Sequence, residues 1–430
     1  MWVDGEAYWH GIQLDETALP ILLVDLLQRD GVPVDVICDF WPMVRRAASY
    51  IVAEGPVTQQ DRWEEEPGFA PFTVAVEIAA LLVAADLADL CGEPPAGEYL
   101  RETADAWNDS IEESLYVRGT ALARRLGIDG YYVKIAPPEK ADAASPQDGF
   151  VPIKNRPWPH NDEPASQIVS PDVLALVRFG LRAPDDVRIV DTIRAIDALL
   201  KVETPHGPVW RRYNGDRYGE HEDGSSFDGH GVGRCWPLLT GERAHYEVAA
   251  GRLEAASNLL RTFEGLAGES GLIPEQVWDS TEVPERELHF GGPSGSAMPL
   301  VWAHAEHLKL RRSLRDGSVF DMPPQVHRRY VIEQRRSPHA FWRFNHKLHT
   351  IAEGRRLRVE MLVPVLVHWS VDSWQTTHDS SSGSTGLGVH VVDLPTDTLP
   401  IGTRVVFTFF WPEANRWEQY DYSVVVANPE

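Results

Sequence analysis

From Asp15 to about Arg315 the apolar residues recur at intervals of three and four, the spacing that gathers one buried stripe along a helix. The pattern predicts helices over 15–28, 39–54, 71–90, 98–126, 171–181, 184–202, 245–264 and 296–312, and a short ninth near 233–240. Several open on a capping or helix-starting pair, such as Ser170 with Pro171 or Asp15 with Glu16, and many are followed by Gly or Pro. After about Phe341 the period shortens to alternating, β-branched runs, which predict strands over 357–367, 389–392, 403–410 and 422–426 with turn residues between them. The expected organisation is therefore mainly α: a helical domain over 1–335, then a small antiparallel, sandwich-like β domain over 336–430. Two long connections, 136–168 and 204–233, are rich in Gly, Pro and Trp, and long loops on a helical scaffold usually carry function.

Charge narrows the partners. The 430 residues hold 64 acidic and 40 basic side chains, a net −24, and a field of that sign repels polyanions, so nucleic acid is not an expected partner. The longest uninterrupted apolar run, Ile78 to Ala85, is well short of the roughly 20 residues of a bilayer crossing, so no membrane partner is expected. Residues 1–16 lack the basic start and apolar stretch of an export signal, which leaves localisation open. Cys38, Cys91 and Cys235 have no metal-type spacing and cannot all pair with one another, so no disulfide framework is implied. The 15 Trp residues are a surplus that serves either as core filler or as flat platforms for sugar rings. Trp369, Trp374, Trp411 and Trp417 pose the same choice in the tail, where the reading favours a structural role.

Two loops carry candidate chemistry. Asp61-Arg62-Trp63-Glu64-Glu65-Glu66 sets three consecutive carboxylates beside an indole just before the predicted 71–90 helix. Crowded carboxylates raise one another's pKa, which can hold one protonated as a general acid, while the positive end of the helix dipole would equally favour a plain acidic cluster. Pro274-Glu275-Gln276-Val277-Trp278 offers a single carboxylate that could cap a helix or stay solvated. Together, two carboxylates on separate loops beside Trp suggest glycoside hydrolysis, with one protonating the leaving oxygen and the other activating water or attacking carbon. Gly292-Pro293-Ser294-Gly295-Ser296 lacks the form of a nucleophile elbow, His304-Ala305-Glu306-His307 has the wrong spacing for a helical zinc site, and Gly229 to Gly233 does not make a phosphate loop. No metal or cofactor is expected.

Trp63-Glu64-Glu65, Pro274-Glu275-Gln276 and Gly292 to Ala297 followed by Pro299-Leu300-Val301-Trp302 resemble glycoside hydrolase family 15, the glucoamylases and glucodextranases. Tyr8-Trp9-His10-Gly11 and Trp236-Pro237-Leu238-Leu239 point to its bacterial members, and the likeness covers roughly residues 1–335. The resemblance implies an (α/α)6 barrel and exo-acting hydrolysis of α-glucosidic bonds in an α-glucan or oligosaccharide, with inversion and release of β-D-glucose. It implies Glu64 as general acid, Glu275 as general base, and Trp9, Trp63, Glu65, Arg212 and Trp278 as substrate-binding residues. The family's Arg-Asp pair near the start of its barrel has no counterpart here, and eight or nine helices fall short of twelve, so an absent N-terminal segment is expected. Two alternatives follow, a weakly active or non-catalytic relative that binds α-glucan, and a hydrolase acting on dextran or trehalose.

Overall fold

The computed structural model describes residues 11–137 and 149–428, and its contacts divide the chain into two compact units. The first is built mainly from the chain up to Ser114 and from Glu333 onward; the second comprises Leu115–Ala136 and Pro146–Ile332.

In the first unit the Pro71–Leu90 helix is the interior element. Ala, Val, Leu and Ile fill nearly every turn, no polar face is left, and the helix is buried from Pro71 to Ala88 with few exceptions. By length and composition it could cross a membrane, a property hidden from the run count because Glu77 and Asp86 interrupt it. Here it is sheathed by the Leu14–Arg29, Trp41–Glu54 and Pro94–Asp109 helices. A disulfide joins Cys38, on the short Val34–Asp39 helix, to Cys91 at the end of the interior helix. Cysteine spacing could not select that pair, so the expectation of no disulfide framework is corrected. Closing a loop of 53 residues restricts the unfolded chain and stabilises the helical cluster.

The tail completes this unit with two sheets. One runs in the order 383–384, 390–394, 356–361, 339–342; the other runs 378–381, 366–370, 404–411, 422–427, 350–352. Pairings are antiparallel except that 339–342 runs parallel to 356–361 and 350–352 parallel to 422–427. The run predicted as one strand over 357–367 is two, Arg356–Met361 and Leu366–Ser370, because Pro364 withholds a ladder donor and the chain crosses between sheets there. Trp342 fills the centre, with its ring centroid 4.8 Å from Tyr422 and 5.1 Å from Phe407. Buried polar links tie the sheets to the helices: Tyr99 Oη donates to Glu360 Oε1 at 2.8 Å, and Arg343 donates to the carbonyls of Val52 and Gly55 at the end of the Trp41–Glu54 helix.

The second unit packs the Pro237–Ala249 helix against Leu253–Gly265 and Val301–Asp316. Its helices differ from the expected spans at turn chemistry that periodicity overlooks. The 245–264 prediction breaks at Gly251, whose φ of +72° ends one helix before the next begins. The 98–126 prediction ends at Asp109 and, past a short Ile111–Leu115 helix, gives way to a Tyr116–Arg118 strand paired with Gly130–Tyr132. The 171–181 segment is one 3₁₀ stretch and a single α turn. The 204–233 connection begins within a hairpin, Lys201–Thr204 with Gly207–Arg211, onto which Cys235–Trp236 adds a third strand. Glu306, from the rejected zinc-like segment, is buried against Arg178 at 2.6 Å and His245 at 2.7 Å.

Glu77 is fully enclosed in the interior helix, and neither carboxyl oxygen has a hydrogen-bond partner among the described residues. Burial, reinforced by Asp15, holds its pKa well above the ordinary carboxylate value, with Arg343 opposing the shift. A raised folded-state pKa leaves stability intact below the unfolded value of about 4.3 and erodes it as pH rises, because only the unfolded chain gains by ionising. Glu77→Gln is therefore expected to melt with the parent at pH 4 and several degrees above it at pH 8, in paired calorimetric scans.

Candidate active site

The two carboxylate loops lie on different units. The Asp61–Glu66 loop, in the first, is organised by Asp61: its Oδ1 accepts from Trp63 N at 3.0 Å and Glu65 N at 3.1 Å, and its own N–H donates to Glu66 O at 2.9 Å. Glu64 N donates to Asp61 O at 2.9 Å, and this tight turn leaves Glu64 at φ +60°, a left-handed conformation that costs a non-glycine residue on the order of 1 kcal/mol. Thr58 and Gly68 exchange backbone hydrogen bonds at the neck of the loop. Below it, the Arg62 guanidinium lies 4.6 Å from the Trp63 ring and 4.4 Å from Phe72. Glu64 and Glu65 are half-buried, whereas Trp63 is buried beneath them.

The Glu275 loop, in the second unit, is held from both sides. Glu275 N donates to Ala297 O at 2.8 Å, Gln276 N to Ser296 Oγ at 2.9 Å, and Val277 N to Cys235 O at 2.9 Å. The Gly292–Ala297 segment is thus a brace for this loop. Glu275 is largely buried, and its carboxylate accepts a hydrogen bond from the Tyr218 hydroxyl. Burial raises its pKa above the ordinary value; the Tyr218 bond and the nearby Arg212 charge pull it back, and Glu220 adds to the rise. Tyr218 is pushed up to about 12 by burial and by the Glu275 charge, so it remains a donor.

Tyr218 in turn is fixed by its own neighbours. Arg212 and Asp216 form a buried two-pronged ion pair at 2.7 and 2.8 Å, Asp216 Oδ1 accepts from Tyr218 N at 2.9 Å, and Arg212 lies 5.0 Å from the Tyr218 ring. Gln276 Nε2 donates to Tyr218 O at 2.9 Å, joining the Glu275 loop to the 212–220 stretch of the same unit. Backbone closeness makes this possible: a Cβ on Gly231 would stand 1.8 Å from the Gly219 carbonyl oxygen, so only glycine fits. Arg234 donates to the carbonyls of Glu220 and His221 and pairs with Asp279 at 2.9 Å; Arg211 meets the other Asp279 oxygen at 2.8 Å.

Of the sequence-derived site residues, Glu275 and Arg212 share one neighbourhood, and Trp63, Glu64 and Glu65 share another. Trp278 has no exposed surface: its ring lies 4.0 Å from the Arg234 guanidinium and its Nε1 donates to Thr281 O, so it supports the loop from within. Trp9 falls outside the described residues. Tyr218, Arg234 and Asp279 were missed; the alternation of charged and aromatic residues from Arg212 to Glu220 is the signal that could have drawn notice to Tyr218. Among the described residues, no group of three or more His, Cys, Asp or Glu is arranged to hold a metal ion.

The scaffold carries one candidate carboxylate loop on each unit, and comparison with known proteins gives the fold class and the family. The model of "Glycosyl hydrolases family 15" matches residues 2–312, and the chain belongs to that family. It is 40% identical over 332 residues to a glucoamylase of Clostridium sp. (strain G0005), an alignment covering 77% of this chain and 43% of the relative. The crystal structure of a bacterial glucoamylase complexed with acarbose superposes with a TM-score of 0.67 at 39% identity, covering 77% of this chain and 45% of that one. The chain thus spans less than half the length of both. The structural match gives the fold class, with helices of the (α/α)6 barrel type followed here by a β-rich tail. A cycloisomaltooligosaccharide glucanotransferase of Niallia circulans is 29% identical over 97 residues, 20% of this chain and 10% of that protein.

The Tyr218 bond stabilises ionised Glu275, and a hydrogen bond to a charged group is worth about 1.5–3 kcal/mol. Tyr218→Phe is expected to raise the Glu275 pKa further, because the ionised carboxylate loses a donor. Carbon-13 carboxyl NMR titration of the two proteins checks this; coincident curves would remove Tyr218 from the site.

Proposed function

We propose that this chain hydrolyses α-glucosidic bonds from chain ends, as a glucan 1,4-α-glucosidase, with inversion and release of β-D-glucose. Family membership and the likeness to two bacterial glucoamylases support the reaction class. The observation that carries the assignment is the setting of Glu275: a largely buried carboxylate, raised in pKa and aimed by a tyrosine hydroxyl, suits a general base that must be ionised and still basic enough to take a proton from water.

In the proposed reaction Glu64 donates a proton to the glycosidic oxygen as the bond to the anomeric carbon breaks. Glu275 removes a proton from the water that attacks the opposite face, so that water's oxygen ends on the sugar. Glu65 and Arg212 would bind sugar hydroxyls, Arg through its planar donor fork. Trp63 would act as a wall behind the acid, and Trp9 as a platform. The left-handed backbone at Glu64 is consistent with an acid presented by a strained turn. In this reading residues 1–335 supply the barrel-type helices and 336–430 a β domain.

Glu275→Gln and Glu64→Gln should each lower turnover of maltooligosaccharides by about 10² to 10⁴-fold while leaving the fold intact. Proton NMR of the first product should show the β anomer. Near-normal turnover by Glu275→Gln would remove the base assignment, and an α-anomeric first product would exclude inversion. Rates on maltose, dextran and trehalose identify the linkage.

A further inference from the structure

Beside the Arg212–Asp216 pair the second unit holds a cavity of about 220 Å³. Leu199 and Leu200, at the end of the Val187–Leu200 helix, give it an apolar side, and Arg156, Arg211 and Arg217 line it as well. Glu275, Tyr218 and Arg212 take no part in its lining, so it is distinct from the site described above. Gly215, at φ +87°, lets the first of these arginines close in: a Cβ there would stand 2.3 Å from Arg156 Nη2. Arg156 Nε donates to Gly215 O at 3.3 Å and its Nη1 donates to Glu163, which fastens the 150–164 hairpin to the cavity wall.

The charges around this cavity do not balance. Its acidic wall residue is engaged already: Asp216 Oδ1 accepts from Arg212 Nη2 at 2.7 Å and Tyr218 N at 2.9 Å, and Oδ2 from Arg212 Nε at 2.8 Å. Arg211 sets its Nε on Asp279, but Arg234 holds the other oxygen of the same carboxylate, so two cations share one anion. Arg217 is exposed and forms no ion pair among the described residues; its contact there is a long one, 3.5 Å to Gly231 O. Two positive charges are therefore left over at one recess, in a chain whose 64 acidic residues outnumber its 40 basic ones and could readily have supplied partners. Charge of one sign along a concave wall concentrates the field and draws in small ions of the other sign.

We propose that this cavity binds the phosphoryl group of a small molecule, either inorganic phosphate or the phosphate ester of a single sugar. Guanidinium forks present paired donors, and three of them at one recess suit the several oxygens of a phosphate better than the two of a carboxylate. The volume lies below the roughly 300–1,000 Å³ of pockets for drug-sized ligands, so the ligand is small. Leu199 and Leu200 offer an ester a surface that inorganic phosphate cannot use. An anion bound there braces the turn that carries Asp216, and Asp216 in turn holds the Tyr218 backbone. The site uses neither Glu64 nor Glu275 and does not depend on the function proposed above.

Calorimetric titration of the full chain with inorganic phosphate, with glucose 6-phosphate and with acetate, at constant ionic strength in sodium chloride, provides the test. Phosphate and the ester should bind saturably, acetate should not, and Arg217→Gln should weaken both by about tenfold or more, the loss of one charged hydrogen bond. Glucose held elsewhere on the chain would survive that substitution. Because Arg217 is exposed, Arg217→Gln should melt with the parent when phosphate is absent, whereas added phosphate should raise the melting temperature of the parent alone. Leu199→Trp, which fills the cavity from its apolar side, should abolish binding as well and decides the matter if Arg217→Gln does not fold. Tighter binding of the ester than of phosphate assigns the site to an ester, and equal binding assigns it to free phosphate. No saturable binding of either, undiminished binding by Arg217→Gln, or equal binding of acetate would overturn the proposal.

Discussion

The Asp279 carboxylate is enclosed between two guanidinium groups, and the geometry around Glu275 follows from that enclosure. Asp279 and Arg234 have no solvent-exposed side-chain surface. Removing one partner of such a pair strands a buried charge, at a cost of about 3–5 kcal/mol. Arg234 then spends its remaining donors on the Glu220 and His221 carbonyls, which places the preceding stretch and with it Tyr218. The path from ion pair to carbonyl to tyrosine to carboxylate runs through groups with little freedom, so the Glu275 carboxylate is held in a defined setting.

The first unit uses a different device. In its carboxylate loop one aspartate side chain collects successive backbone N–H groups, and Glu64 takes a left-handed backbone. Such a turn uses local hydrogen bonds of ordinary length to position a side chain.

What could be read in advance divides along the same physical lines. Periodicity located the interior Pro71–Leu90 helix to the residue, because burial all round leaves a long apolar signature. It ran helices together across 98–126, where a strand pairing made with 130–132 ends the helix, and across 245–264, where the local turn at Gly251 does so without disturbing the apolar period. The loops bearing Glu64 and Glu275 stood out by composition, yet Asp279 and Arg234 look like ordinary charged residues until their burial is known. Trp278 shows the reverse: its place beside a candidate base suggested contact with sugar, and its surroundings make it a structural prop. The cysteine pair was undecidable, since three thiols allow three pairings.

The interleaving of the first unit bears on how the protein is made. Its helices up to Asp109 rest against strands that begin at His339 and end at Ala427, whereas everything in the second unit is contained between Leu115 and Ile332. During synthesis at about 5–20 residues per second, the early helices therefore wait roughly 15 to 60 seconds for their partners. Through that interval the apolar Pro71–Leu90 segment has only its helical neighbours to cover it, while the second unit can already close on itself. The strands made after the second unit are thus what complete the packing of the helices made before it.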